Sequence, residues 1–306
     1  MSRAPCGRKC HMARKRLRFA LFGNVHQEKK SASVQKILSV LSERKAEVCV
    51  AEDFLAFLRD GMALPVEGLE PISGDDWGAD YVVCMGGDGT FLDVAARVGD
   101  KGIPILGVNT GRLGFLAGFS PEQIEEIVGD IYSGHADVVD HSVLSLSCDE
   151  GGLEGYPFAL NEIAVLKHDS SSMISVRACI NGEFLTTYQA DGLIVGTPTG
   201  STAYSLSVGG PIVVPQCQTI TLTPVAPHSL NMRPIVLCDD GEVELTVGSR
   251  SGSFLIAIDG RSRSYPDGLH LRIRRAPYVV RAVRRHGDSF YATLYKKLMW
   301  GADLRR

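Results

Sequence analysis

The stretch from Tyr81 through Ala96 limits the folds open to this chain more than any other. Tyr81-Val82-Val83-Cys84-Met85 is a short apolar run of residue types that favour a buried strand. It leads into Gly86-Gly87-Asp88-Gly89-Thr90, and Phe91-Leu92-Asp93-Val94-Ala95-Ala96 then has the spacing of a helix. Strand, Gly-rich turn and helix in this order predict a βα unit of a parallel sheet. Glycine lets the backbone turn tightly and lets a bulky anion approach its N–H groups, and a helix N-terminus adds a favourable dipole for phosphate. Asp88 is the unusual member. A carboxylate inside a phosphate-binding turn repels its ligand unless it holds a metal or accepts a proton, so the string points to phosphoryl chemistry. The competing reading is an ordinary tight turn with Asp88 as helix N-cap. No Gly-x-x-x-x-Gly-Lys-Ser/Thr string occurs, which sets aside the common nucleoside-triphosphate loop.

The alternation continues on both sides of this unit. Residues 17–24 read as a strand ending in a Gly-Asn turn, 34–41 as a helix, 47–50 as a strand, 53–59 as a short helix and 65–79 as a loop. Residues 103–111 give the next strand and turn, and 121–132 a helix capped by Ser120. Such alternation implies a parallel sheet covered on both faces, with ligands at the carboxyl ends of the strands, where Asn24, Asp88 and Asn109 fall. Near His135 the pattern changes. Short alternating runs at 143–147, 163–166, 174–180, 192–195, 243–247, 254–258 and 270–274 are split by Gly, Asp and Asn turns, and only 201–208 offers a helix. An α/β N-terminal domain with a parallel sheet is therefore expected, followed by a β-rich, sandwich-like C-terminal domain. Residues 289–300 read as a final helix; a sandwich has no layer for it, so it is expected to pack back on the first domain. The expected division is 17–134, with 286–306 returning to it, and 135–285.

Composition narrows the function classes. A chain of 306 residues with 44% hydrophobic and 22% charged content is long enough for two domains. The formal net charge of −3 argues against a general nucleic-acid binder. No apolar run of about 18 residues offers a membrane span, so neither nucleic acid nor membrane is an expected partner. Eight cysteines are scattered without paired spacing or a secretory signal, several of them in apolar runs (Cys49, Cys84, Cys179), as fits reduced thiols in a cytoplasm. Cys6 and Cys10-His11 lack a second pair and read as chance rather than as a zinc site. Residues 1–16 form a basic extension with Arg3, Arg8, Lys9, Arg14, Lys15 and Arg16 and no acid. Without an amphipathic apolar face, it reads as a disordered tail or an over-extended translation start rather than a nucleic-acid arm or targeting peptide.

Three stretches in the β-rich part look chemical. Asn161-Glu162 sets an amide beside a carboxylate at the start of a strand, with an ordinary turn as the alternative. Residues 191–211 run from a strand into a turn crowded with Thr197, Thr199, Ser201 and Thr202, then into a helix start with Tyr204 one turn in. Small polar side chains and free N–H groups suit close approach to a planar base and a ribose. In Ala226-Pro227-His228-Ser229-Leu230-Asn231-Met232-Arg233-Pro234, His228 invites a catalytic role, but a lone His in a turn is more often structural.

Taken in this order, these stretches resemble the NAD kinase family. The matching segments are Gly86-Gly87-Asp88-Gly89-Thr90, Asn109-Thr110-Gly111-Arg112-Leu113-Gly114-Phe115-Leu116, Asn161-Glu162, residues 191–210, Pro227-His228-Ser229 with Arg233-Pro234, Asp259-Gly260-Arg261, and Lys297-Leu298-Met299-Trp300-Gly301. The Gly-Gly-Asp-Gly-Thr string alone is shared with diacylglycerol and sphingosine kinases, whereas residues 197–210 with Asn161-Glu162 upstream are specific to NAD kinases. Two departures stand out: Gly196, where the family more often has Ser or Ala, and Gly118, where an acid is common.

The resemblance implies transfer of the γ-phosphoryl of ATP, with Mg²⁺ or another divalent cation, to the 2′-hydroxyl of the adenosine ribose of NAD, giving NADP. It makes Asp88 the catalytic residue, orienting or deprotonating the hydroxyl or helping to hold the metal, with Gly87 and Gly89 beside the bound NAD. It places Asn161, Thr199, Thr202, Ala203 and Tyr204 around the adenine, Glu162 on the ribose hydroxyls, and Ser207 among the NAD-binding residues. Asp191 and Ala226 would meet the nicotinamide end from a neighbouring subunit of a homodimer or homotetramer, and 135–285 would be the NAD-binding domain. The residue types agree: amide and hydroxyl for a base edge, a carboxylate for a diol, an aromatic for stacking. Two other classes stay in view. A diacylglycerol/sphingosine-type lipid kinase would keep Asp88 but has no use for the hydroxyl-rich turn at 197–202. A non-catalytic dinucleotide sensor would keep the β-domain pocket but does not need Asp88.

Overall fold

The computed structural model describes residues 16–25, 31–111, 114–149, 153–168 and 172–301. The basic extension, except for Arg16, lies outside them, as do Arg112, Leu113 and residues 302–306.

The N-terminal half runs β1 (Arg18–Gly23), α1 (Ser31–Glu43), β2 (Glu47–Ala51), α2 (Glu52–Ala56), β3 (Glu70–Ile72), β4 (Tyr81–Met85), α3 (Asp88–Val98), β5 (Ile105–Val108) and α4 (Ile124–Ser133). Its strands lie in the order β3-β2-β1-β4-β5, all parallel. The order runs outward from the β1/β4 pair in both directions, so the chain diverges there and opens a crevice beyond the strands' carboxyl ends. Gly86 and Gly87 leave β4 at that point. All four residues of β5 are buried, as strands covered on both faces require. The helices face them with residues at helical spacing: Val34, Ile37 and Leu41 from α1, Phe91, Val94 and Val98 from α3, Ile124, Ile127 and Ile131 from α4. The turn leading into α4 has the capping box of Ser120 and Gln123. The stretch 65–79, expected as loop, contains β3, an edge strand whose Pro71 is tolerated because it need not donate on both sides.

The C-terminal half runs β6 (Asp137–Cys148), β7 (Phe158–Ala159), β8 (Glu162–Lys167), β9 (Ile174–Ile180), β10 (Glu183–Ala190), β11 (Gly192–Gly196), α5 (Tyr204–Ser207), β12 (Thr219–Val225), β13 (Ile235–Cys238), β14 (Glu242–Ser249), β15 (Ser253–Ile258), β16 (Arg261–Pro266), β17 (His270–Arg284) and α6 (Phe290–Leu298). One sheet has the order β13-β12-β11-β8-β15-β16; β10-β9-β14-β17, with β6 and β7, faces it. Alternate residues from both close the core between them, Ile163, Val165, Leu193 and Val195 against Val176, Leu245, Leu271 and Ile273. The helix expected at 201–208 is instead a 3-10 turn, Thr199–Thr202, and the single turn α5, broken at Ala203 (φ −100°, ψ −128°).

The long strand β17 ties the halves together. It pairs antiparallel with β14 at its start and with β6 along most of its length, then reaches β5 in parallel through Ala282 and Ile105. The parallel sheet thereby continues into the sandwich as one sheet of eleven strands. α6 follows, capped by Ser289, with Leu294 buried and Lys297 lying over the Phe115 ring at 4.4 Å. The final helix thus packs back on the loop after β5, as expected.

Candidate active site

Gly87, not Asp88, is the N-cap of α3 (φ −94°, ψ −170°). The Asp88 side chain turns instead to the loop after β5. Its Oδ2 accepts the Phe115 N–H at 2.8 Å, and its Oδ1 accepts those of Leu116 and Ala117 at 3.0 Å each. Backbone bonds between Phe119 and Gly107 and between Asn109 and Phe119 hold that loop against β5. Close packing requires its glycines: a Cβ on Gly114 would stand 1.8 Å from Asp88 Oδ1, and one on Gly107 2.8 Å from the Ala117 Cα. The glycines around Asp88 divide between close packing and an open approach. None of Gly86, Gly87 and Gly89 has a positive φ, so no left-handed backbone is involved. Gly86 is needed because a Cβ would meet Thr90 Oγ1 at 2.2 Å, whereas nothing lies within 4 Å of a Cβ on Gly87 or Gly89. Those two leave the mouth of the turn bare.

A carboxylate offers about four lone-pair sites. Three of those of Asp88 are taken, and the remaining one is on Oδ2, which has the Lys297 ammonium at 4.0 Å. Arg284 stands behind the loop, donating to the Phe115 carbonyl at 3.0 Å. Burial pulls its guanidinium below the ordinary value, against the pull of Asp288 and Asp88.

A second cradle of the same form holds Asn161-Glu162. Asp259 and Gly260 (φ +47° and +81°) make the tight hairpin turn between β15 and β16, the left-handed pair that a two-residue hairpin favours. The Asp259 carboxylate accepts the N–H groups of Leu160, Asn161 and Glu162 at 2.8, 2.8 and 3.1 Å. Thr197 clamps the other side, its N–H on the Asn161 carbonyl at 2.9 Å and its hydroxyl on that of Leu160 at 2.6 Å. Gly200 passes so close that a Cβ would stand 2.1 Å from the Asn161 oxygen. Glu162 is 8% exposed, and its Oε2 is buried without a hydrogen-bond partner. Burial first, and then Asp259, push its carboxyl up to about 7, against a hydrogen bond from the Tyr204 N–H. Such an orphaned oxygen is what a ribose hydroxyl would satisfy.

The hydroxyl-rich turn divides its members. Ser201 is spent internally, on the Pro198 carbonyl at 2.7 Å and the Val213 N–H at 3.0 Å. Thr202 bonds the Thr199 carbonyl at 3.4 Å, Ala203 marks the helix break, Tyr204 is 38% exposed, and Ser207 is exposed. Thr199 is buried, 2.8 Å from Nδ1 of the fully buried His141. Burial, and then Arg284, hold the His141 imidazolium down at about 3, so this ring is neutral. Phe115, His141, Arg284, Phe290 and Thr293 are among the residues lining a cavity of about 100 Å³.

Asp191 and Ala226 lie elsewhere. The strand register sets Gly196 opposite Glu162 and Gly192 opposite Leu166 and Val225. The length of β11, roughly 13 Å, therefore separates these two residues from Glu162. Asp191 pairs with Lys167 at 2.8 Å, Ala226 is exposed with φ +44°, and His228 beside them is exposed. The structure also brings in residues with no role in the sequence reading. Asp259 and Lys297 stood in matching segments, and the Asp-Gly pair between alternating runs signals a hairpin; nothing in the sequence singled out His141 or Arg284.

A Gly-Gly-Asp turn at the switch point of a parallel sheet, joined to a sandwich offering a buried carboxylate and a row of small hydroxyls, defines a phosphotransferase that acts on a nucleotide. Family models of the ATP-NAD kinase N-terminal and C-terminal domains match residues 65–136 and 160–285, and the NAD kinase of Bacteroides fragilis is 56% identical over 289 residues, 94% of this chain and 100% of that protein. The chain belongs to the NAD kinase family. It is 43% identical to the NAD kinase of Porphyromonas gingivalis over 288 residues, 94% of this chain and 99% of that one. Among solved structures it is similar to yeast NADH kinase complexed with NADH (TM-score 0.86, 25% identity, 95% of this chain and 89% of that one). It is also similar to an NAD kinase from Archaeoglobus fulgidus in complex with ATP (TM-score 0.71, 26% identity, 92% and 99%). Among the described residues no helix is long and apolar enough to cross a membrane.

Proposed function

We infer that this chain transfers the γ-phosphoryl of ATP to the 2′-hydroxyl of the adenosine ribose of NAD, giving NADP. The observation that carries this reading is the Asp88 carboxylate, fixed by three backbone N–H groups at the switch-point crevice with one lone pair of Oδ2 left over. Oδ2 takes the proton of the 2′-hydroxyl as the ribose oxygen attacks the γ-phosphorus and ADP leaves. Rigid anchoring suits this role, because catalysis here is mainly positioning and charge neutralisation. The divalent cation, Mg²⁺, enters on the ATP phosphates as part of the substrate.

On the acceptor side, Glu162 receives ribose hydroxyls at its orphaned oxygen. Asn161, Thr199, Thr202 and Ala203 line the adenine, Tyr204 stacks on it, and Ser207 belongs to the NAD-binding surface. Gly87 and Gly89 leave room for NAD beside Asp88. Asp191 and Ala226, at the far end of β11, serve the nicotinamide end of NAD bound to a neighbouring copy in a homodimer or homotetramer. Residues 135–285 act as the NAD-binding domain, and the enzyme works in the cytoplasm. No observation favours a lipid kinase or a non-catalytic sensor. Incubation with Mg-ATP and NAD should yield NADP. Asp88→Asn should lower turnover by about 10²–10⁴-fold with folding and NAD binding retained; near-normal turnover in that variant would reject the assignment.

A further inference from the structure

The site as described has a proton acceptor, but from the protein no positive charge for the phosphoryl group in transit, on which negative charge is spread. Lys297 supplies one. It comes from α6, at the other end of the sequence from Asp88, and its Nζ stands 4.0 Å from Asp88 Oδ2. That is too long for a hydrogen bond, and the carboxylate is already held by three N–H groups, so Lys297 is not what fixes Asp88. The ammonium rests instead on the face of Phe115, 4.4 Å from the ring centroid, a contact that steadies a cation without consuming its donors. Its side chain is 21% exposed against 34% for Asp88, so water screens it only in part. Burial pulls its ammonium below the ordinary value and Asp88 pulls the other way.

The separation has a use. An oxygen about 2.8 Å from both Nζ and Oδ2 fits across such a gap with hydrogen bonds to each. An attacking hydroxyl on Oδ2 therefore sets the phosphoryl oxygens, joined to it through the phosphorus, within reach of the ammonium. Among the described residues Arg284 is a second cation near Asp88, and it donates to the Phe115 carbonyl behind the loop. We propose that Lys297 is a catalytic residue whose ammonium contacts the phosphoryl group as it passes from ATP to NAD. This rests on the kinase reading of Asp88.

The test is Lys297→Met, which keeps an unbranched stem over Phe115 and removes the charge. A contact made chiefly in the transition state shows in kcat rather than in KM. The expected result is a fall in kcat of about 10²-fold, with KM for NAD within about twofold and the melting temperature unchanged. Lys297→Arg should retain about a tenth of wild-type turnover or more, and propylammonium added to Lys297→Ala should restore turnover in a saturable way. Two outcomes overturn the proposal: turnover of Lys297→Met within about threefold of wild type, or a loss recovered neither by Arg nor by propylammonium and accompanied by a lower melting temperature. Wild-type protein that makes no NADP from Mg-ATP and NAD would instead remove the kinase reading itself.

Discussion

Glu162 carries its carboxyl at about 7 because it is buried beside Asp259, and the consequences for stability and binding run in opposite directions. The folded-state value lies above the ordinary one of 4.5, so the protonated form favours folding. That contribution is complete below about pH 4.5 and is lost as pH rises to about 7. Binding has the other sign, because ribose hydroxyls donate and prefer the anion. The apparent affinity for NAD should rise as pH rises through about 7, with release of up to one proton, and Glu162→Gln should flatten both dependences. Melting curves and KM for NAD measured from about pH 5 to 8.5 check this; an unchanged slope in Glu162→Gln would place the titrating group elsewhere. At this scale the sequence was legible where chemistry and neighbours coincide. Asp88 stood out because glycines flank it. Asp259 did not, because the three N–H groups it cradles are nearly a hundred positions away, and a long-range bond leaves no local pattern.

The loop 114–117 is the element that decides where Asp88 points. A Cβ on Gly114 would overlap Asp88 Oδ1, so Gly114→Ala forces the carboxylate or the loop aside without touching the sheet. Turnover should fall about as far as in Asp88→Asn, roughly 10²-fold or more, with the melting temperature and NAD binding by calorimetry nearly unchanged. Normal turnover would show that the loop does not set the carboxylate. Most elements of the α/β part were legible because continuous apolar runs mark the strands and helical spacing marks the helices between them. Several strands of the sandwich were not. β16, Arg-Ser-Arg-Ser-Tyr-Pro, is an edge strand with five exposed residues, so it has no apolar face to announce it. β3 hides behind Pro71 for the same reason. The break at Ala203 escaped as well, since small residues at 199–207 carry helix signals while the backbone is shaped by close contact with Asn161.

For the whole molecule, the α/β part and the β-rich part both showed in the change of period, but their connection did not. No periodicity reveals that Ala282 lies beside Ile105. Nor does it reveal that Asp191 sits the length of β11 away from Glu162. The proposed sharing of sites between copies makes a sharp expectation from that distance. Co-expressing Asp88→Asn with Asp191→Ala should regenerate some sites with wild-type residues at both positions. NADP formation should then exceed the sum of the two separately purified variants and depend on co-assembly. Activity that stays at that sum, with mixed oligomers verified by mass spectrometry and Asp191→Ala alone folded but inactive, would rule sharing out. The pairing of β17 with β5 also bears on how the protein is made. During synthesis β5 emerges early, with β4 on one side and an open edge on the other, and such edges recruit foreign strands. Its native neighbour β17 is made long after it, followed at once by the helix that carries Lys297. A chain interrupted before β17 would thus expose a sticky edge while still lacking the helix that carries Lys297.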